Sequence, residues 1–224
     1  MVQRVAKAFF PYCPLKRVFD VLLALFGLMV LSPLWVVIWI AIVIEDGFPV
    51  FLKQKRIGKN GEVFDYYKFR SMVTSALTEE INIQAKPNDS RITRVGRIIR
   101  GTAMDESPQL FNILLNEMSF VGPRPLLLSE VEVHGSDNCN ITSISGFERR
   151  ISILPGLTGP AQLYMSRDAP WEKKFENDLM YIKEKCLLID LKLIALSILV
   201  TLLGRWERRK PKLALLRKSD YDIK

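Results

Sequence analysis

A single histidine and three scattered cysteines remove whole classes of chemistry from this chain. His134 lies in the polar stretch VHGSDNCNITS, which reads as a surface loop, so neither a Ser-His nor a Cys-His mechanism is expected. Cys13, Cys139 and Cys186 are odd in number and far apart. They fit neither a disulfide framework nor a zinc site, and they suit a reducing compartment. Internal repeats and low-complexity tracts are also missing. So are RRM-like, KH-like and zinc-finger patterns, and nucleic acid is therefore not expected as a partner. The formal net charge of +8 still calls for an anionic one, such as acidic lipid or a phosphorylated substrate. With 224 residues the chain has room for one domain, or one domain plus an anchor.

What the chain has in abundance is an apolar run. Val21–Ile44 carries no charge and holds sixteen Val, Leu, Ile or Phe residues. On insertion scales it favours the bilayer by about 5–10 kcal/mol, and as a straight helix it would extend roughly 36 Å. It is too long for a signal peptide, and no small-residue cleavage site follows it. Ser32-Pro33 sits at its midpoint, where proline removes a backbone donor. Basic residues flank both ends: Arg4, Lys7, Lys16 and Arg17 before, then Lys53, Lys55, Arg56 and Lys59 after. The positive-inside rule places both flanks in the cytoplasm. Either a re-entrant helix broken at Ser32-Pro33 or a kinked span satisfies the pattern.

The densest chemistry lies in Arg97–Pro125, RIIRGTAMDESPQLFNILLNEMSFVGPRP. Asp105 and Glu106 stand together before an apolar helix read over Gln109–Met118, with Ser107-Pro108 as its cap pair. Arg97 and Arg100 precede the acids, and Arg124 follows in a Gly-Pro-Arg-Pro turn. Carboxylates before a helix are usually capping groups. Arginines on both sides instead suit chemistry on phosphates, where repulsion between anions must be suppressed.

Around this segment, Phe48–Met72 alternates apolar and polar residues about Gly58-Lys59-Asn60-Gly61, a hairpin pattern. Thr74–Asn88 reads as a polar helix and loop, Ser129–Glu148 as an irregular insertion, and Pro155–Pro160 as a rigid turn. Trp171–Cys186 reads as a helix with an apolar stripe of Trp171, Phe175, Leu179, Ile182 and Cys186. Asp178 falls inside that stripe, where it must be ion-paired or used in the site. Leu187–Leu203 is interrupted by Asp190 and Lys192, so it reads as core or as an interfacial helix. Lys16 and Arg17 lie one turn from Asp20 and read as a structural salt bridge.

Taken in order, these segments resemble the small monotopic bacterial phosphoglycosyl transferases. The matching motifs run from Lys16-Arg17-Val18-Phe19-Asp20 and Ser32-Pro33 through Gln54–Gly58, Tyr67–Met72, Asp89–Thr93, Gly96, Arg100 and Asp105-Glu106. Met118–Pro125, Pro155–Gly159, Gln162, Trp171, Phe175 and Asp178 complete the set. The resemblance implies an α+β, mostly helical fold. A re-entrant membrane helix within residues 1–47 would precede a catalytic domain over 48–224, lying on the cytoplasmic face of the bacterial inner membrane.

The resemblance also implies an activity: transfer of a sugar-1-phosphate from a UDP-sugar to polyprenyl (undecaprenyl) phosphate, releasing UMP and starting glycan assembly for downstream glycosyltransferases. Asp105 would be the nucleophile, forming an aspartyl phosphosugar, and Glu106 would hold Mg²⁺. Lys68, Arg91, Arg100 and Arg124 would bind phosphates, with Asp178, Arg167 and Gln162 as further site residues. No extra amino-terminal helices precede these motifs, so the chain reads as a minimal catalytic unit. It departs from the family at Ser107, Leu154, Ser166-Arg167-Asp168 and Met180, positions expected to bear on sugar identity. The competing readings are a catalytically silent membrane-surface scaffold and an enzyme that moves the sugar alone.

Overall fold

The computed structural model describes residues 12–74, 89–127, 141–166 and 169–206. The fold is α+β and mostly helical. Helix α1 (Tyr12–Asp46) is followed by the hairpin β1 (Phe51–Ile57) and β2 (Val63–Phe69). Helix α2 (Arg94–Gly101), a 3₁₀ turn (Met104–Glu106) and α3 (Gln109–Leu114) come next, then β3 (Ser119–Val121) and β4 (Leu126–Leu127). The chain continues through α4 (Phe147–Ile151), β5 (Gly156–Thr158), α5 (Pro160–Tyr164), α6 (Trp171–Glu184) and α7 (Leu187–Leu202). The expected helix within Thr74–Asn88 lies almost wholly outside the described residues, and so do His134 and Arg167.

Helix α1 is long and apolar enough to cross a membrane. It continues through Ser32-Pro33 instead of ending there. The hydroxyl of Ser32 donates to the carbonyl of Met29 at 3.0 Å, the carbonyl that the missing proline N–H would otherwise have served. One face of α1 packs against the rest of the chain at points towards both ends. Ala24 and Leu28 pack on α3, and Ile38 and Ile42 pack on Val50, Phe69 and Ile99. Near the amino-terminal end, Lys16 meets the Asp190 carboxylate at 2.7 Å. The Asp20 carboxylate accepts from the Phe120 N–H at 3.3 Å, and Arg17 donates to the last carbonyls of α3, Ile113 and Leu114. At the other end, Glu45 accepts from the N–H groups of Arg94 and Val95, closing the open first turn of α2. The opposite face exposes Leu22, Phe26, Met29, Val37, Ile40 and Ile44. A helix of 35 residues spans roughly 52 Å, yet both of its ends touch one folded unit.

The hairpin forms as the alternation requires, with Phe51 opposite Phe69 and Ile57 opposite Val63. Asn60 at the turn takes a left-handed conformation, φ 55°. β4 pairs on the other edge of β1. Gly156–Thr158, expected as part of a turn, is instead a strand running parallel to β3. The glycines allow this approach: a Cβ on Gly156 would sit 2.1 Å from the Gly122 nitrogen, so these two backbones touch. The carboxyl-terminal part of the expected irregular insertion is also ordered, since Phe147–Ile151 is helical and Ile141 is fully buried beside Phe147 and Phe175. In α7, Asp190 is buried and accepts from Lys16 and from the Tyr181 hydroxyl. Leu188 and Leu202 on the same helix are exposed. The helix is therefore core on one side and apolar surface on the other.

Candidate active site

The acid pair is placed by a sharp reversal of the chain. Thr93 caps α2 by accepting from the Gly96 N–H, and only glycine fits at position 96, since a Cβ there would strike the Ser71 carbonyl. After α2, Ala103 adopts φ 55°, unusual for a residue with a side chain, and the chain enters the Met104–Glu106 turn. Ser107-Pro108 does not cap α3 as expected. The Ser107 hydroxyl donates to the Met104 carbonyl at 2.7 Å and accepts from the Trp35 indole N–H at 2.9 Å. Helix α3 is correspondingly short, ending at Leu114. Asp105 is almost wholly buried, at 8% exposure.

Glu106 and Arg124 form a two-pronged ion pair, with N···O distances of 2.6 and 3.2 Å. Burial works against ionising Glu106, but Arg124, Arg56 and Lys68 outweigh it and hold the carboxyl at about 2. Lys68 projects from β2 into the same region. Its burial, with Arg56 adding to the effect, lowers the ammonium to about 8, against the pull of Asp105 and Glu106. Arg100 also acts on Lys68 and donates to the Ser71 hydroxyl at 3.4 Å. Burial together with Glu106 pushes the Tyr66 hydroxyl well above its usual range. Four cationic side chains, Arg56, Lys68, Arg100 and Arg124, thus act on one neighbourhood with two carboxylates. The surplus of positive charge suits a multiply charged anion.

The Gly122-Pro123-Arg124-Pro125 turn is gripped at consecutive carbonyls by two buried arginines. Arg150 donates to the Arg124 carbonyl at 2.8 Å, and Arg56 donates to the Pro125 carbonyl at 3.2 Å. Each arginine is braced in turn. Gln54 accepts from Arg56, whose guanidinium lies over the Tyr66 ring. Asp178 accepts from Arg150 at 2.9 Å, and Arg150 lies over Phe175. Burial raises the Asp178 carboxyl, while Arg150 opposes that rise.

Of the residues singled out in the sequence, Asp105, Glu106, Lys68, Arg100 and Arg124 come together. Arg91 is held by Asp89 through contacts of 2.9 and 2.8 Å. Asp178 serves as an ion-pair partner one residue removed from the dyad's own arginine. Gln162 is half-buried on α5. Arg56, Tyr66 and Arg150 are not among the site residues expected from the sequence, where Arg56 stood only as a basic flank of the apolar run and in the Gln54–Gly58 motif. Arg56 could have been found from the strand alternation, which turns it inward with Gln54 while Lys53 and Lys55 face out.

Known proteins resemble this chain over most of its length. Residues 12–204 match the family described as bacterial sugar transferase. "Uncharacterized sugar transferase EpsL" of Bacillus subtilis (strain 168) is 38% identical over 187 residues, covering 82% of this chain and 85% of that protein. The UDP-glucose:undecaprenyl-phosphate glucose-1-phosphate transferase of Klebsiella pneumoniae is 37% identical over 188 residues. The undecaprenyl-phosphate galactose phosphotransferase of Salmonella typhimurium is 34% identical over 194 residues. These matches cover 82% and 80% of this chain but only 39% of each of the two longer relatives. The chain belongs to the bacterial sugar transferase family and is an enzyme of the phosphoglycosyl transferase class.

Proposed function

We propose that the protein transfers a sugar-1-phosphate from a UDP-sugar to undecaprenyl phosphate, releasing UMP, as a first membrane step in exopolysaccharide or capsule assembly. The observation that carries this reading is the buried Asp105 beside Glu106, with Arg124, Arg56 and Lys68 acting on Glu106 and Lys68 also coupled to Asp105. The Asp105 carboxylate would attack the β-phosphorus, forming a phosphorus–oxygen bond as the bond to UMP breaks. A phosphate oxygen of the lipid acceptor would then attack the same phosphorus and expel Asp105. Attack by an anion on an anion needs its repulsion cancelled in advance, and Arg56, Lys68, Arg100 and Arg124 supply that. The names of the Klebsiella and Salmonella relatives support the acceptor, and that of the Klebsiella relative supports the donor class.

A Mg²⁺ ion arriving with a diphosphate would have to share Glu106 with Arg124, which engages both carboxylate oxygens. Such an ion takes one or two carboxylates plus substrate oxygens, and no closed cage of three acidic or thiol/imidazole ligands occurs among the described residues. Glu106, kept ionised, would hold it with Asp105 adjacent, and the ion would neutralise phosphate charge. Helix α1 would lie re-entrant in the cytoplasmic leaflet. Its apolar outer face and its two ends on one folded unit support that placement.

Lys68 makes the reaction sensitive to alkali. Below pH 8 it is charged, and above pH 8 the site loses a positive group. KM for the UDP-sugar is expected to rise by up to about tenfold per unit above that pH. Lys68→Arg should move this limb upward, which initial rates between pH 7 and 10 would reveal. The test of the function itself is UMP release from a panel of UDP-sugars with undecaprenyl phosphate and Mg²⁺. UDP as the product would favour transfer of the sugar alone. No nucleotide released by folded, membrane-bound protein would favour the scaffold reading.

A further inference from the structure

The reversal that presents Asp105 is under strain, because Ala103 is left-handed and no glycine relieves it. Such a turn persists only where its surroundings hold it. Backbone bonds from the Glu106 N–H to Ala103 and from the Ser107 N–H to Met104 close it, and two side-chain bonds add to them. The Ser107 hydroxyl reaches back to the Met104 carbonyl, spanning both acids, and the Trp35 indole N–H binds that same hydroxyl. Trp35 is itself wedged edge-on between Phe69 at the end of β2 and Phe111 of α3, with ring centroids 5.6 and 5.7 Å away. It lies on the apolar helix, two residues after Pro33. Ser107 is 5% exposed, so water cannot readily take the place of the indole.

We propose that Trp35 and Ser107 are positioning residues for Asp105, tethering the nucleophile's turn to the apolar helix through the indole-to-hydroxyl hydrogen bond. The placement of Asp105 then depends on α1 being seated against the folded unit. This rests on the proposed role of Asp105 only for its effect on rate, since the tether itself is a property of the fold.

The test uses the full chain in lipid nanodiscs, with Trp35→Phe, Ser107→Ala and the double variant. Phenylalanine keeps an aromatic ring against Phe69 and Phe111 while removing the donor. Hydrogen exchange of the peptide spanning residues 103–110 is expected to quicken by about fivefold in each single variant, and no further in the double. In UMP release, kcat is expected to fall by roughly tenfold in each single variant and no further in the double, with KM for the donor within about twofold. Unchanged exchange in residues 103–110 overturns the tether. Faster exchange with kcat intact overturns its positioning role. Exchange is read independently of turnover, so a wild-type protein that releases no UMP would count against the proposed function while the exchange still decides the tether.

Discussion

Asp105→Asn is expected to abolish sugar-phosphate transfer, with UMP release falling by at least about 10³-fold while the protein stays folded. The amide has the shape of the carboxylate but cannot form the covalent bond to phosphorus. Intact-mass measurement after mixing with UDP-sugar alone should show a phosphosugar adduct on the wild type and none on the variant. The variant has a second signature. The Asp105 charge helps to hold the Lys68 proton, so removing it should lower Lys68 below about 8. Any residual donor binding should then weaken at a lower pH than in the wild type. UMP release that survives in Asp105→Asn would rule this residue out as nucleophile.

Arg150→Ala is expected to produce the largest loss of stability of any single change at the site. Arg150 and Asp178 are 3% and 1% exposed, so removing one partner leaves the other buried and uncompensated. Breaking such a pair costs about 3–5 kcal/mol. For a chain of this size that corresponds to a fall in Tm of roughly 6–20 °C. Burial already raises the Asp178 carboxyl, and without Arg150 it should rise further and take up a proton. The double change Arg150→Met with Asp178→Leu should recover part of the stability, because an apolar pair leaves no stranded charge. It should not recover activity. Arg150 also pins the carbonyl of Arg124, whose guanidinium holds Glu106. Thermal melts and UMP release on the same preparations separate the two effects. Recovery of both together would make the pair purely structural.

Much of the chain could be read from its order of residues because the signals are local. The hairpin follows from two-residue alternation around a glycine-rich turn, and α6 follows from apolar residues at helical spacing. The strand at Gly156–Thr158 could not be read this way. Its glycines signalled a turn, whereas their actual use is to let two backbones touch. Ser107 looked like a cap and instead became the acceptor for an indole from the apolar helix. The sequence left open whether α1 continues through Ser32-Pro33, where the Ser32 hydroxyl bonds the Met29 carbonyl that proline cannot serve.

By itself the sequence singled out the groups proposed to carry the chemistry, namely the Asp105-Glu106 pair, the flanking arginines and Lys68, and an apolar run long enough to cross a membrane. These are short-range facts of residue type and spacing. Only the tertiary structure decided what each group leans on. Arg56 finds a carbonyl 69 residues away, Trp35 a hydroxyl 72 residues away, and Arg150 a carboxylate 28 residues away. No periodicity encodes such pairings. They form because burying a polar group is costly until it meets its complement, and the packed core determines which complement comes within reach.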